Sequence, residues 1–195
     1  MRKSDPFTLT FDDGPGPSTN ALLDVLAKHG CSATFFVLGK NLERIPQTAM
    51  RAVREGHRLG NHAYTHARPG ELDASQFASE LERTDALIVR THELAGVSPP
   101  PFIPVRLPYG PEAHDVRTQV LAERGRSHVH WTQNFSDWRM EIADAPSLAH
   151  AMRAHVQAQT DAGLEAVLLL HDSSRRFDER AATVEAVRMF LNALR

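Results

Sequence analysis

The chain has 195 residues, of which 42% are hydrophobic and 24% charged, which is typical of one ordinary globular domain. Its formal net charge of -2 argues against nucleic-acid binding, and its single cysteine excludes an internal disulfide framework. No apolar run is long enough to insert into a membrane as a spanning helix. We therefore predict a single domain over residues 1–195.

The first residues contain no secretory signal. Arg2 and Lys3 are basic, but no apolar stretch follows them. We expect a cytoplasmic protein, and the alternative is a secreted catalytic domain separated from its export signal. Nothing in the sequence predicts an oligomeric state.

Short apolar runs alternate with amphipathic stretches, which is typical of repeated β-α units. The predicted strands lie at residues 7–11, 33–38, 58–60, 102–106, 128–132 and 166–170. The predicted helices lie at residues 21–27, 47–55, 75–94, 112–123, 147–159 and 179–194. This α/β pattern fits a parallel barrel or a doubly wound sheet, and the pattern does not choose between them.

Two adjacent acids, Asp12 and Asp13, follow the first predicted strand and precede Gly14-Pro15. The carboxyl ends of parallel strands are where α/β proteins build their sites. Aspartate before glycine is also ordinary turn chemistry. The pair alone therefore indicates either a turn or a site.

His62 and His66 are four residues apart, just after the third predicted strand. On a helical turn they would share one face and could bind one metal ion. Because the chain has eleven histidines, such a pair also arises by chance. An aspartate from another strand end would complete a set of two histidines and one carboxylate, which leaves a position open for water.

Arg106 follows the fourth predicted strand, in Arg106-Leu107-Pro108-Tyr109-Gly110. Its fixed positive charge could keep a carboxylate ionised. The following turn could direct a backbone N–H towards developing negative charge. The alternative is a solvated arginine beside a structural turn.

Two more clusters follow later strands. Asp137-Trp138 comes after the fifth strand, with Trp131 and Phe135 nearby as candidates for an apolar wall or for core packing. His171 directly follows the sixth strand and is a natural acid or base near neutral pH. Beyond it, the Arg175-Arg176 pair is interpreted as a solvated loop, with contact to an acidic or sugar group as the alternative.

Taken together, these five clusters resemble in order and residue type the motifs of the polysaccharide deacetylase family, which is carbohydrate esterase family 4 with the NodB homology domain. The resembling stretches are Thr10-Phe11-Asp12-Asp13-Gly14-Pro15, His62-x-x-x-His66, Arg106-x-Pro108-Tyr109-Gly110, Asp137-Trp138 and Leu168-x-Leu170-His171-Asp172. The resemblance extends over essentially the whole chain.

The resemblance implies a small irregular, TIM-like (β/α) barrel of six to seven strands, with the site at the carboxyl ends of the strands. It also implies a divalent metal bound by Asp13, His62 and His66. Zinc is the expected ion, with Co²⁺ and Ni²⁺ as alternatives.

The resemblance further implies roles for the remaining groups. Asp12 would be the catalytic base, held ionised by Arg106, and His171 would be the general acid, tuned by Asp137. Three residues would form the oxyanion and acetyl site: the backbone N–H of Tyr109, and the side chains of Trp138 and Leu169.

The activity that the resemblance implies is metal-dependent removal of acetyl groups from N-acetylated sugars, such as chitooligosaccharide or peptidoglycan. The alternatives are O-deacetylation of acetylxylan, hydrolysis of a small non-sugar amide, and a non-catalytic sugar-binding module. The chain departs from the usual motifs at Ala63, where a hydroxyl residue is common, and at Asn134, where the fourth motif often begins with Asp.

Overall fold

Parallel strands form one sheet in the computed structural model, which describes residues 6–194. The strands are β1 (Phe7–Asp12), β2 (Ala33–Val37), β3 (Arg58–Asn61), β4 (Gln133–Asn134) and β5 (Ala166–His171). Their spatial order is β3-β2-β1-β5-β4, with every neighbouring pair parallel. Because the strands are parallel, their carboxyl ends all lie at one edge. Residues 1–5, on which the expectation about a signal peptide rests, lie outside the described residues.

Single-residue bridges extend this sheet towards closure. Val105 pairs with Asn61 at the end of β3 and with His128 on its other side. A few residues beyond His128, the Thr132 N–H donates to the Val167 carbonyl (2.9 Å) and β4 then pairs with β5. The segment 128–134 therefore connects both ends of the sheet, and the structure is the irregular (β/α) barrel that the family resemblance implies.

The predicted strands at 102–106 and 128–132 are much shorter than expected. Pro104 lacks an N–H and Pro101 precedes the pairing residue closely, so the first segment cannot form a continuous ladder. Only Val105 makes bridges there. In the second segment, His128 pairs with Val105, whereas β4, which follows it, pairs with β5. The residues between them therefore form no continuous strand.

Seven helices cover the outside of the strands within the described residues. They are α1 (Thr19–His29), α2 (Gly39–Arg44), α3 (Pro46–Arg54), α4 (Ala74–Ala95), α5 (Val116–Glu123), α6 (Ala145–Asp161) and α7 (Ala181–Asn192). Two short 3-10 helices, Asp137–Arg139 and Ile142–Asp144, precede α6. None of the helices that the structure describes has the length and apolarity needed to cross a bilayer.

Local capping chemistry explains the differences between predicted and observed helix ends. The Asp115 carboxylate accepts the Arg117 N–H (2.9 Å), so α5 starts at residue 116 rather than 112. In α6, Pro146 occupies the first turn, where proline needs no hydrogen-bonded N–H, so the helix starts at residue 145 rather than 147. The six-residue α2 lies outside the predicted helices, directly after the second predicted strand.

The main core lies between the strands and the helices that flank them. Leu9, Phe11, Leu168 and Leu170 are at most 1% exposed, and they belong to one apolar cluster. Burial of these side chains on the buried faces of β1 and β5 aligns the two strands, because a one-residue slip would turn the apolar faces away from the core. The core therefore sets the register that brings the strand ends together.

Candidate active site

Strand register brings the predicted residues to one edge of the barrel. β1 and β5 are neighbours, and Asp12 is paired directly with His171. On the other side of β1, β2 pairs with β3, and Asn61 at the end of β3 precedes His62. Residues far apart in sequence therefore lie at one edge because three parallel strands end there.

Asp13, His62 and His66 converge on one point. Their ligand atoms all lie within 4.8 Å of one another. Asp13 Oδ1 is 3.6 Å from His62 Nε2 and 3.1 Å from His66 Nε2. This oxygen is buried and, among the described residues, has no hydrogen-bond partner. A cation between the three groups would satisfy it, so the residues fit a metal site.

The protonation states of these groups favour the same interpretation. His62 Nδ1 lies 2.7 Å from the Arg106 carbonyl oxygen, which only accepts, so Nδ1 carries the proton and Nε2 presents a lone pair. Burial lowers the pKa of His62 and of His66 to about 3, so both rings are neutral at neutral pH. Burial raises the pKa of Asp13 to about 7. A divalent cation would offset this effect of burial.

Asp12 has a different environment from Asp13. Arg106 is fully buried, and its Nη1 donates to Asp12 Oδ1 (2.9 Å) and to Thr10 Oγ1 (2.7 Å). The Arg106 Nε donates to the Val129 carbonyl (3.1 Å), which fixes the guanidinium plane. Asp12 Oδ2 lies 3.7 Å from His62 Nε2. One oxygen of Asp12 is therefore bound to a cationic side chain while the other faces the candidate metal position.

His171 is held by a buried acid. Asp137 is 1% exposed and accepts the His171 backbone N–H and its Nδ1–H, both at 2.8 Å. Thr183 Oγ1 on α7 donates a third hydrogen bond to Asp137 (2.6 Å). Burial alone would lower the pKa of His171, but the charge and hydrogen bond of Asp137 raise it to about 9. His171 is therefore protonated at neutral pH, with Nε2 as its remaining donor.

The predicted side chains meet at a single cavity of about 450 Å³. The predicted residues that line it are Asp12, Asp13, His62, His66, Tyr109, Trp138, Leu169 and His171. Arg106 and Asp137 lie behind them, in contact with Asp12 and His171. The Trp138 ring stands edge-on to the His171 ring, with 5.0 Å between ring centres. The position of the Tyr109 N–H opposite an oxyanion stays a prediction.

The histidine pair is not on a helical turn. His62 and His66 lie in an irregular loop, in which Ala63 and His66 have positive φ angles of 61° and 64°. The Asn61 side chain accepts the Ala63 N–H (2.8 Å), and Glu80 accepts the next two backbone N–H groups (3.0 and 3.1 Å). These contacts hold the loop without a hydroxyl group at position 63.

The cavity also contains residues that the motifs did not identify. Trp131 lines the cavity, as an aromatic wall would require, whereas Phe135 packs against the main core instead. Arg175, interpreted as part of a solvated loop, lines the cavity. His128, which begins the fifth predicted strand, does not line the cavity, and its Nδ1 accepts the Leu107 N–H (3.0 Å). Leu107, Gly110 and Asn134, which belong to the quoted motifs, also line the cavity. The remaining lining residues lie outside the motifs and are Arg68, Arg139, Ser174 and Arg180.

Comparison with known proteins gives the same family as the motifs. The sequence profile of the family described as polysaccharide deacetylase matches residues 2–127. A peptidoglycan-N-acetylglucosamine deacetylase from Bacillus cereus is 36% identical over 137 residues, which are 70% of this chain and 47% of that protein. The chain thus spans about half the length of this relative.

Two further comparisons cover most of both proteins. A chitooligosaccharide deacetylase from Sinorhizobium fredii is 34% identical over 168 residues, which are 84% of this chain and 70% of that protein. The structure of a family 4 carbohydrate esterase from Streptomyces lividans, in complex with acetate, is similar with a TM-score of 0.71 and 29% identity, over 96% of this chain and 86% of that one. The profile match, these similarities and the geometry of the strand-end cavity agree: the chain belongs to the polysaccharide deacetylase family.

Proposed function

We propose that this chain is a metal-dependent hydrolase that removes the acetyl group from an N-acetylated amino sugar. The observation that carries the proposal is the arrangement at one cavity of a metal-type trio, Asp13, His62 and His66, beside two acid-base groups, Asp12 and His171. A sugar-binding module would need neither the trio nor the acid-base pair. The names of the relatives, which refer to N-acetylglucosamine and chitooligosaccharide, support the substrate class.

The trio would bind one divalent cation, and we propose Zn²⁺ because two imidazoles and a carboxylate are a usual ligand set for catalytic zinc. When bound, this ion polarises the acetyl carbonyl and lowers the pKa of water. The open side of the trio faces the cavity in which the substrate would lie. The Trp138 and Leu169 side chains provide an apolar wall for the acetyl methyl group.

Asp12 and His171 would divide the proton transfers between them. Asp12 accepts a proton from the attacking water as the water oxygen bonds to the acetyl carbon. Arg106 keeps Asp12 oriented and compensates its charge. His171 gives its proton to the sugar nitrogen as the C–N bond breaks, and Asp137 stabilises the charged ring before the transfer. The products are acetate and a free amino sugar.

Acetate release from a panel of substrates tests this proposal. The panel consists of chitotetraose, peptidoglycan fragments and acetylxylan, each assayed with zinc-loaded protein and with protein stripped by EDTA. We expect acetate from the first two substrates, loss of activity after stripping, and recovery on adding zinc. Release from acetylxylan alone would show an O-deacetylase, and binding without any acetate release would show a non-catalytic module.

A further inference from the structure

Arginine side chains surround the cavity beyond those that the proposed reaction uses. Arg68, Arg139, Arg175 and Arg180 all line it. Arg68 follows the histidine loop, Arg139 lies in the first 3-10 helix, and the other two follow β5. Three separate segments of the barrel edge therefore direct positive charge at one space.

These four arginines have no acidic partner among residues 6–194. None of the four guanidinium groups lies within 4.0 Å of a carboxylate, whereas eight other arginines in the same part of the chain do. Four guanidinium groups without a carboxylate partner therefore line one cavity.

The aromatic walls support two of these side chains. The Arg68 guanidinium lies over the Tyr109 ring at 4.9 Å, and the Arg139 guanidinium lies over the Trp138 ring at 5.8 Å. A guanidinium stacked on a ring keeps its in-plane N–H groups available for an anion. Stacking thus holds the positive charges beside the space where a sugar would lie.

The acids of the cavity have other partners, although the charge of Arg180 partly offsets the burial that raises the pKa of Asp13. Asp12 and Asp13 are the only acids among the described residues that line it. Asp12 already contacts Arg106, and Asp13 faces the two histidines of the metal-type trio. Lys40 adds a further positive charge nearby: burial lowers its pKa, and the charge of Arg175 lowers it further. The cavity therefore has an excess of positive charge.

We infer that the glycan bound at this site is anionic, with carboxylate or phosphate groups on the sugars beside the reacting N-acetyl group. This inference rests on the proposed function and specifies its substrate class. The flat guanidinium groups of Arg68, Arg139, Arg175 and Arg180 form paired hydrogen bonds with either anion. An uncharged N-acetylated oligosaccharide would leave all four without an anionic partner, although Arg180 also donates to the backbone carbonyls of Ser173 and Glu179.

Matched substrates test the inference. The first is an oligosaccharide of alternating N-acetylglucosamine and N-acetylmuramic acid with free lactyl carboxylates, and the second is the same chain with those carboxylates converted to methyl amides. A third, chitotetraose phosphorylated at its 6-hydroxyl groups, distinguishes phosphate from carboxylate as the preferred anion. We expect kcat/KM to be about tenfold or more higher for an anionic chain than for its neutral counterpart, because charge-assisted hydrogen bonds are strong. The preference should weaken as salt is raised from about 20 to about 300 mM.

Charge-removing variants connect the preference to the arginines. Arg139→Gln and Arg175→Gln should each lower the ratio of kcat/KM between the anionic and the neutral chain several-fold. Arg153→Gln is the matched control, since Arg153 is an exposed arginine of α6 that does not line the cavity. Its ratio should equal that of the unaltered protein.

Two results would overturn the inference. The first is equal kcat/KM both for the carboxylated and amidated chains and for phosphorylated and unmodified chitotetraose. The second is an unchanged ratio in both cavity variants. Either result leaves the proposed deacetylation intact. If no chain releases acetate, the proposed function is wrong. Titration calorimetry of each chain with the protein then tests the preference for anionic glycans separately. In that case the anionic chains must still bind about tenfold more tightly than the amidated chain, and equal affinities would refute an anion site.

Discussion

Replacing Asp137 with asparagine should move the alkaline limb of the activity profile to lower pH. Asp137 is buried, and its two oxygens accept both His171 hydrogen bonds as well as one from Thr183. Asparagine keeps the shape but removes the negative charge. Burial, which lowers the pKa of His171, is then no longer opposed by that charge.

The magnitude follows from the raised pKa. Asp137 and its neighbours raise the His171 pKa from 6.5 to about 9, a change of roughly 3 kcal/mol in favour of the charged ring. Without the Asp137 charge we expect the pKa to fall by about two units or more. A bound cation would lower the pKa in both proteins, so the difference between them is the quantity to compare.

The assay is kcat/KM for acetate release between about pH 5 and pH 10, with zinc content and unfolding temperature measured for each protein. As the general acid, His171 is active when protonated, and it loses its proton as the pH rises through its raised pKa. Activity therefore falls on the alkaline side, and in Asp137→Asn this fall should begin at a lower pH. Thr183→Val is the control, because it keeps the carboxylate and removes one hydrogen bond. An alkaline limb at the same pH in Asp137→Asn and in the unaltered protein would refute His171 as the general acid tuned by Asp137.

Three further predictions concern stability and metal binding. Arg106→Met should lower the free energy of unfolding by about 3–5 kcal/mol in chemical denaturation, because it leaves the Asp12 carboxylate buried without its cation; a loss below about 1 kcal/mol would contradict this. Gly14→Ala should lower it by about 1–3 kcal/mol, because the added Cβ would lie 2.2 Å from the buried Asp172 carboxylate, and unchanged denaturation would show that this carboxylate can move. Zinc at about 100 times its dissociation constant should stabilise the folded protein by about 2.7 kcal/mol, visible as a higher melting temperature, and this effect should be lost in His66→Ala; an equal rise in that variant would place the ion elsewhere.

The strand-end residues were predictable because their positions follow from simple rules. Apolar runs mark buried strands, and parallel strands place whatever follows them at one edge. Asp12 and His171 end such runs, and His62 follows the short strand β3, whose sequence is only partly apolar. Their convergence therefore needed only the element order, and the family resemblance added the roles.

The contacts that support these residues were not predictable in the same way. Thr183 lies 46 residues from Asp137 and reaches it only because α7 packs against α6 and the second 3-10 helix. The loop of His62 is held by Glu80 of α4, a contact without any sequence motif. Such contacts depend on how helices pack on the barrel, and residue spacing does not report that packing.

The cavity arginines show the same limit. Arg68, Arg139 and Arg180 belong to no motif, and arginines outside motifs are mostly ordinary surface residues. Only the folded chain shows that they share one cavity without acidic partners. The short strand pairing at Val105 was also not predictable. The sequence shows an apolar run, but not which of its residues forms backbone bridges to a neighbouring strand.

We propose that the two adjacent acids have separate functions: Asp13 binds the metal, and Asp12 accepts the proton of the attacking water. The most direct measurement is the rate of acetate release by zinc-loaded Asp12→Asn, with the zinc content of the same sample. We expect Asp12→Asn to bind one zinc per chain, as in the unaltered protein, and to release acetate about a hundredfold or more slowly. Full turnover with zinc retained would contradict it, and so would loss of the zinc itself.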